Sequence, residues 1–183
     1  VEKLYSKFSI DISNEIEENQ KNEKNLSKNL QRLFSQLKSN LTDLSPEKDY
    51  FVDHFLRVRY KKSEAARKLL KYILEEFNNN ITTGETRIDF DEVNLEHILP
   101  QNPKQCDLNK KDIEEYVNSL GNLCLLHKGK NSGIGNKPMN SKIPVLLSSE
   151  IKATKILAES IQSNNLEWNE SIINERANDL ADL

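Results

Sequence analysis

Cysteine is scarce in this chain, with only Cys106 and Cys124 among 183 residues. Two thiols without close spacing cannot build a four-ligand zinc site, and they are too few for a secreted disulfide framework. Reduced thiols in a cytoplasmic protein are the reading that remains. Long apolar runs are also missing: no stretch reaches the roughly 18 residues that a transmembrane helix needs, so no membrane span is expected. The first twenty residues alternate acidic, polar and apolar positions, which excludes a signal peptide. Charge of one sign is lacking too. Lys and Arg number 26 against 29 Asp and Glu, a net charge of −3. Bulk charge therefore draws no polyanion to this molecule, and any nucleic-acid contact must come from a local basic surface. Internal repeats are absent. The chain opens on Val1 rather than Met, as a piece of a longer protein would.

What is present is polar but still allows a modest core, with 36% hydrophobic and 30% charged residues. The first 80 residues have a helical pattern. Leu26, Leu30, Leu33, Leu37, Leu41 and Leu44 recur every three or four positions and draw one apolar stripe. Ser45-Pro46-Glu47 reads as a cap with Pro at the first helical position. A second helix carries Phe51, Phe55 and Val58. A third starts near Ser63, with Ala66, Leu69, Leu70, Ile73, Leu74 and Phe77 on its buried side, and Asn78-Asn79-Asn80 is expected to stop it. Thr82-Thr83-Gly84 reads as a turn and Arg87 to Phe90 as a short strand. Lys111 to Leu120 reads as a helix, and Leu123 to His127 as an apolar strand. Two glycines and a proline between Asn131 and Lys142 predict irregular or only briefly helical chain. Two helices, split near Asn164-Asn165, close the sequence. The expected fold is α+β and mostly α. It divides into helices over 1–80, a functional core over 81–150 and closing helices over 151–183.

One segment carries chemistry. Glu96 and His97 stand side by side at the end of a short apolar run, in Leu95-Glu96-His97-Ile98-Leu99-Pro100-Gln101. Asn122 follows in a Gly-Asn turn, and Asn131 stands nine residues further on. Hydrolysis of a phosphodiester needs a water, a base for its proton and positive charge near the leaving oxygen. One hard cation, magnesium or manganese, with oxygen ligands supplies that charge. Glu96 would give it a carboxylate oxygen and Asn131 an amide oxygen. His97 would take the water's proton, since a neutral imidazole suits this near neutral pH and is worth roughly 10²–10⁴-fold. Neighbouring residues of a strand face opposite ways. Glu96 and His97 flank one scissile phosphate only if the chain bends there. Asn122 reads as a residue that fixes the loop carrying His97.

This pattern resembles a His-Me finger, or HNH-type, nuclease motif, in which an acid–His strand, a second strand and a short helix enclose one metal. More narrowly, Glu96-His97-Ile98-Leu99-Pro100-Gln101, Leu120-Gly121-Asn122-Leu123, Asn131 and Asn136-Lys137-Pro138 resemble the C-terminal nuclease domain of GmrSD-type, modification-dependent restriction endonucleases. Trp168, Ile172, Arg176 and Leu180 match the tail of that family. The resemblance implies a ββα-metal finger embedded in a helical domain, with His97 as general base, Glu96 and Asn131 beside the metal and Asn122 in the histidine-orienting place. The step from Asn122 to Asn131 also occurs in the nuclease domain of RNA-guided DNA-cutting enzymes. The third position is Asn here rather than His, and no zinc-binding cysteines decorate the finger. Family proteins usually carry an N-terminal half that resembles a ParB/sulfiredoxin-like nucleotide hydrolase. Nothing in this chain resembles it, so the resemblance places it upstream of Val1 or on a separate polypeptide.

Residues 121–149 hold Lys128, Lys130, Lys137 and Lys142 and no acid. Together with Asn136 they are expected to grip the phosphates of double-stranded DNA. A solvated loop is the plainer alternative. Arg57, Arg59, Lys61 and Lys62 form a second basic run, either a DNA-facing patch or a solvated helix end. His127 reads as a surface histidine or a phosphate contact, and His54 as structural. Trp168 and Arg176 are spaced as packing residues near two turns of one helix. The expectation is a metal-dependent endonuclease cutting foreign DNA in bacterial defence. Its rivals are a catalytically silent module that binds DNA or a partner, and a toxin-type nuclease directed at RNA or single strands.

Overall fold

The leucine stripe does form a helix. The computed structural model describes residues 1–19, 22–82, 88–103 and 110–182. These divide into two compact units, Val1–Phe51 and Val52–Leu183. The first unit is a helical hairpin of α1 (Glu2–Glu18) and α2 (Glu23–Leu44). The Asn22 side chain caps α2 by accepting from the Asn25 N–H, which satisfies one of the helix's orphan donors. Phe8 and Phe34 meet edge-to-face with ring centroids 5.1 Å apart. Within the described residues of this unit only Leu33 is buried. Helix α3 (Lys48–Phe55) crosses the division between the units and starts two residues after Pro46.

The second unit is built on one antiparallel hairpin, β1 (Val93–His97) with β2 (Leu123–His127), and helices cover both of its faces. Against Val93, Leu123 and Leu125 pack Leu70 and Leu74 of α4 (Glu64–Ile81), together with Ile151 and Leu180. Against Cys124 and Leu126 pack Ile134 of α6 (Lys128–Ile134), Ile143 and Leu146 of α7 (Met139–Leu147), and Leu157, Ala158 and Ile161 of α8 (Lys152–Ser163). A two-faced burial explains why β2 is an unbroken apolar run rather than an alternating one. A third cluster joins Leu99, Ile113 of α5 (Lys110–Ile113), Val117 and Ile173 of α9 (Glu170–Ala181). The fold is α+β and mostly α.

Several elements differ from the expectation. The Asn78–Asn80 run does not end α4, which continues to Ile81. Asn78 is buried, and its Oδ1 accepts from the Ala153 N–H at 3.0 Å, which fixes the start of α8. Tertiary contact here outweighs weak helix propensity. Leu69 is not on the buried side but exposed, as α4 turns Leu70 and Leu74 inward. Phe90 opens a single 3₁₀ turn instead of ending a strand. Arg87, the Thr83-Gly84 part of the expected turn, and Cys106 lie outside the described residues. The helix expected to Leu120 ends at Ile113. The stretch expected to be irregular or only briefly helical holds two short helices, α6 and α7, with a break between them. Gly135 ends α6 at φ +40°, a left-handed conformation that favours glycine, and Pro144 is accommodated within α7. No helix among the described residues is long and apolar enough to cross a membrane.

Candidate active site

Strand pairing continues through Glu96↔Cys124 and His97↔Leu123. No bend separates the two residues, so the strand's alternation sends their side chains to opposite faces. His97 lies on the α4 face. Glu96 lies on the face covered by α7.

The His97 ring is held by two residues that sequence reasoning missed. Its Nε2 is 3.3 Å from Asn118 Oδ1, and Tyr60 packs edge-on with centroids 4.7 Å apart. Asn118 Oδ1 also accepts from the Gln101 side chain at 2.8 Å. An amide oxygen only accepts, so in this arrangement Nε2 carries the proton and Nδ1 keeps the lone pair. Burial pushes the His97 pKa down to about 4, with the nearby Lys142 charge acting the same way and Asn118 opposing. The imidazole is therefore neutral at physiological pH, as a base must be. Neither Asn118 nor Tyr60 belongs to a recognisable motif. The faint signal in sequence is that each sits beside a predicted element that must return to β1.

Glu96 is buried, and its Oε1 lies 2.6 Å from Lys142 Nζ, itself without exposed surface. Lys142 also donates to the His97 carbonyl at 2.5 Å. Burial raises the Glu96 pKa, and the Lys142 ammonium opposes that rise. Lys142 thus leaves the expected set of DNA contacts. Its ammonium cannot reach a phosphate because it is enclosed against Glu96.

Asn122 is fully buried and holds the loop that follows His97. Its Oδ1 accepts from Leu99 N–H and Trp168 Nε1–H, each at 2.8 Å. Its Nδ2 donates to Leu99 O at 2.9 Å and Val117 O at 2.7 Å. It acts on the backbone past His97, whereas Asn118 holds the ring. Trp168 precedes α9 and so does not share a helix with Arg176. Arg176 caps carbonyls of the turn before β2, Gly121 O at 2.5 Å and Leu123 O at 2.8 Å. That turn presses so closely on α9 that a Cβ on Gly121 would lie 1.9 Å from Ile173 O.

Asn131, on α6, donates from Nδ2 to Leu95 O at 3.1 Å, one residue from Glu96. Among the described residues no three His, Cys, Asp or Glu side chains cluster. A cation here would have one carboxylate, the Asn131 amide oxygen, and oxygens from water and phosphate. That donor chemistry fits a hard divalent ion, although one Glu96 oxygen already faces the Lys142 ammonium. Asn136 Oδ1 accepts from Asn102 N at 3.3 Å. Lys128 pairs with Glu92 at 3.4 Å, and Lys130 donates to Ser148 O at 2.5 Å. Lys137 is exposed on the α6–α7 connection. His127 caps α6, its Nδ1 accepting from Gly129 N–H. In the second basic run, Arg57 pairs with Asp53 at 2.8 Å on the surface and Arg59 donates to the carbonyls of Leu56 and Val58. The Cys124 thiol is buried and pushed up to about 12, which leaves it unreactive.

A family model described as "GmrSD restriction endonucleases, C-terminal domain" matches residues 45–183. No curated protein and no solved structure matches the chain.

Proposed function

The chain belongs to the family of C-terminal domains of GmrSD restriction endonucleases, and on that premise we propose that it is a metal-dependent endonuclease of HNH type that hydrolyses phosphodiester bonds of double-stranded foreign DNA. The observation that carries this reading is the His97 imidazole. It is neutral, held at Nε2 by Asn118 and against Tyr60, and it ends the first strand of a hairpin followed by a short helix.

In this mechanism His97 Nδ1 takes the proton of the attacking water. Asn122 keeps the loop beyond His97 in place, so the ring does not drift from the scissile phosphate. Asn131 would hold the divalent ion, magnesium or manganese, with water and phosphate oxygens; Glu96, on the opposite face of β1 from His97, would join that shell only by turning its carboxylate from Lys142. When bound, that ion stabilises the negative charge that develops at the leaving oxygen. Lys128, Lys130, Asn136 and Lys137 lie on the stretch after β2 and would contact the DNA backbone. Such contacts position the strand and read little sequence. Choice of target, including any base modification, then falls to a nucleotide-hydrolysing domain or subunit upstream.

The test is a nicking assay on plain plasmid and on hydroxymethylated or glucosylated phage DNA, with magnesium, manganese or EDTA. Metal-dependent cutting that His97→Ala abolishes is the expected result. Equal cutting by wild type and His97→Ala removes His97 as the base. Preference for RNA or single strands in the same assay moves the substrate to the toxin-type class.

A further inference from the structure

A cleft of about 480 Å³ opens beside the hairpin, between the first turns of α4, the edge of β1 and α6. Glu64, Arg67, Lys68 and Lys71 line it from α4, at positions that share one helix face. Lys128 and Asn131 line it from α6. Four cations, Arg67, Lys68, Lys71 and Lys128, face two carboxylates there, Glu64 and Asp91. Two more carboxylates, Glu75 and Glu92, stand beside Lys71 and Lys128 just outside the lining, so the cleft offers cations whose counter-charges are side chains a phosphate can displace.

The cleft borders the candidate base through Tyr60. Tyr60 forms part of its lining and packs on the His97 ring, and Asn131 stands in its wall. Its cations are within reach of a ligand because their protein partners are weak. Lys68–Glu64 and Lys128–Glu92 are solvent-exposed pairs, and Lys71 is 4.0 Å from Glu75. Exposed pairs of this kind hold little and exchange readily for a phosphate. Arg67 enters no salt bridge among the described residues, and its guanidinium suits two-point phosphate contact. Arg67 and Lys71 are offset by about 6 Å along the helix axis, enough to meet different phosphates of one strand.

We propose that this cleft is the track for the DNA strand leading away from the scissile phosphate, with Arg67 and Lys71 of α4 gripping its backbone. The proposal rests on the nuclease reading above and adds a surface outside the hairpin and its helix. Sequence reasoning passed over it because Arg67 and Lys71 look like the ordinary polar face of an amphipathic helix.

The test is binding of a fluorescent duplex to the full chain over a series of KCl concentrations, with calcium in place of magnesium to suppress cutting. Arg67→Gln/Lys71→Gln is compared with wild type and with Lys38→Gln/Lys155→Gln, which removes the same charge from outside the cleft. Gln keeps helix propensity, and circular dichroism checks that each variant is folded. The expected result is at least a tenfold weaker affinity at low salt for the cleft variant. Its plot of log affinity against log salt should also be shallower by about 1.8, which corresponds to two lost phosphate contacts. The control keeps the wild-type slope. If wild type binds and the cleft variant keeps its slope, the track is overturned and the nuclease reading stands. If wild type binds no duplex at all, both fall.

Discussion

Glu96 and Lys142 are 46 residues apart in sequence and 2.6 Å apart in space, with neither side chain reaching solvent to any useful extent. The pair ties the strand that ends in His97 to helix α7, and its ammonium also holds the His97 carbonyl. A charge pair in the interior gains little over apolar side chains of the same size, but half of one is costly.

Lys142→Met is therefore expected to destabilise the protein by roughly 3–5 kcal/mol, since Glu96 is left buried and unpaired. In a chain of this length that is a fall in Tm of about 10 °C, readable by calorimetry. The double variant Glu96→Gln/Lys142→Met should recover most of the loss and still fail to nick DNA. An unchanged Tm for Lys142→Met would mean that the ammonium does not hold this strand.

Asn122→Ala removes four hydrogen bonds at once and strands the Leu99 and Trp168 N–H groups without acceptors. Each buried donor left unmade costs about 1–3 kcal/mol, so for the two of them a loss of roughly 2–6 kcal/mol in urea unfolding is expected. Nicking should fall further than the unfolded fraction accounts for, because the loop after His97 loses its anchor. A variant that unfolds early yet cuts at the wild-type rate while folded would reduce Asn122 to a purely structural residue.

Acid should destabilise the fold through His97. Its folded pKa is about 4 against a usual 6.5, so between those values the unfolded chain binds a proton that the folded chain refuses. Stability then rises with pH across that window, is complete above 6.5 and is lost as pH falls towards 4. The ceiling is roughly 3 kcal/mol. Glu96 acts in the opposite sense, because its pKa is raised in the fold. The contrast with His97→Gln isolates the histidine. Measured in EDTA, wild type should lose Tm more steeply than His97→Gln between pH 7 and 5. Parallel curves would show that the ring is not buried as a neutral group.

Much of the fold was legible in the chain itself. The leucine periodicity of α2, the apolar run of β2 and the split at Asn164-Asn165 are local patterns, and each becomes the expected element. The family resemblance carried by Glu96-His97, Asn122 and Asn131 implied a hairpin and a short helix, and those residues do lie on β1, on the turn before β2 and on α6. Tertiary structure decided what local pattern cannot carry. Asn78 stays helical because Ala153 needs a hydrogen-bond acceptor there. Lys142 goes inside because Glu96, 46 positions away, offers a buried carboxylate. The His97 ring is held by Asn118 and Tyr60, which stand 21 and 37 residues from it and bear no motif. Spacing along the chain reports which residues share a strand or a helix face. Only packing brings together side chains from different elements, and burial then decides which charges meet a partner inside and which stay at the surface.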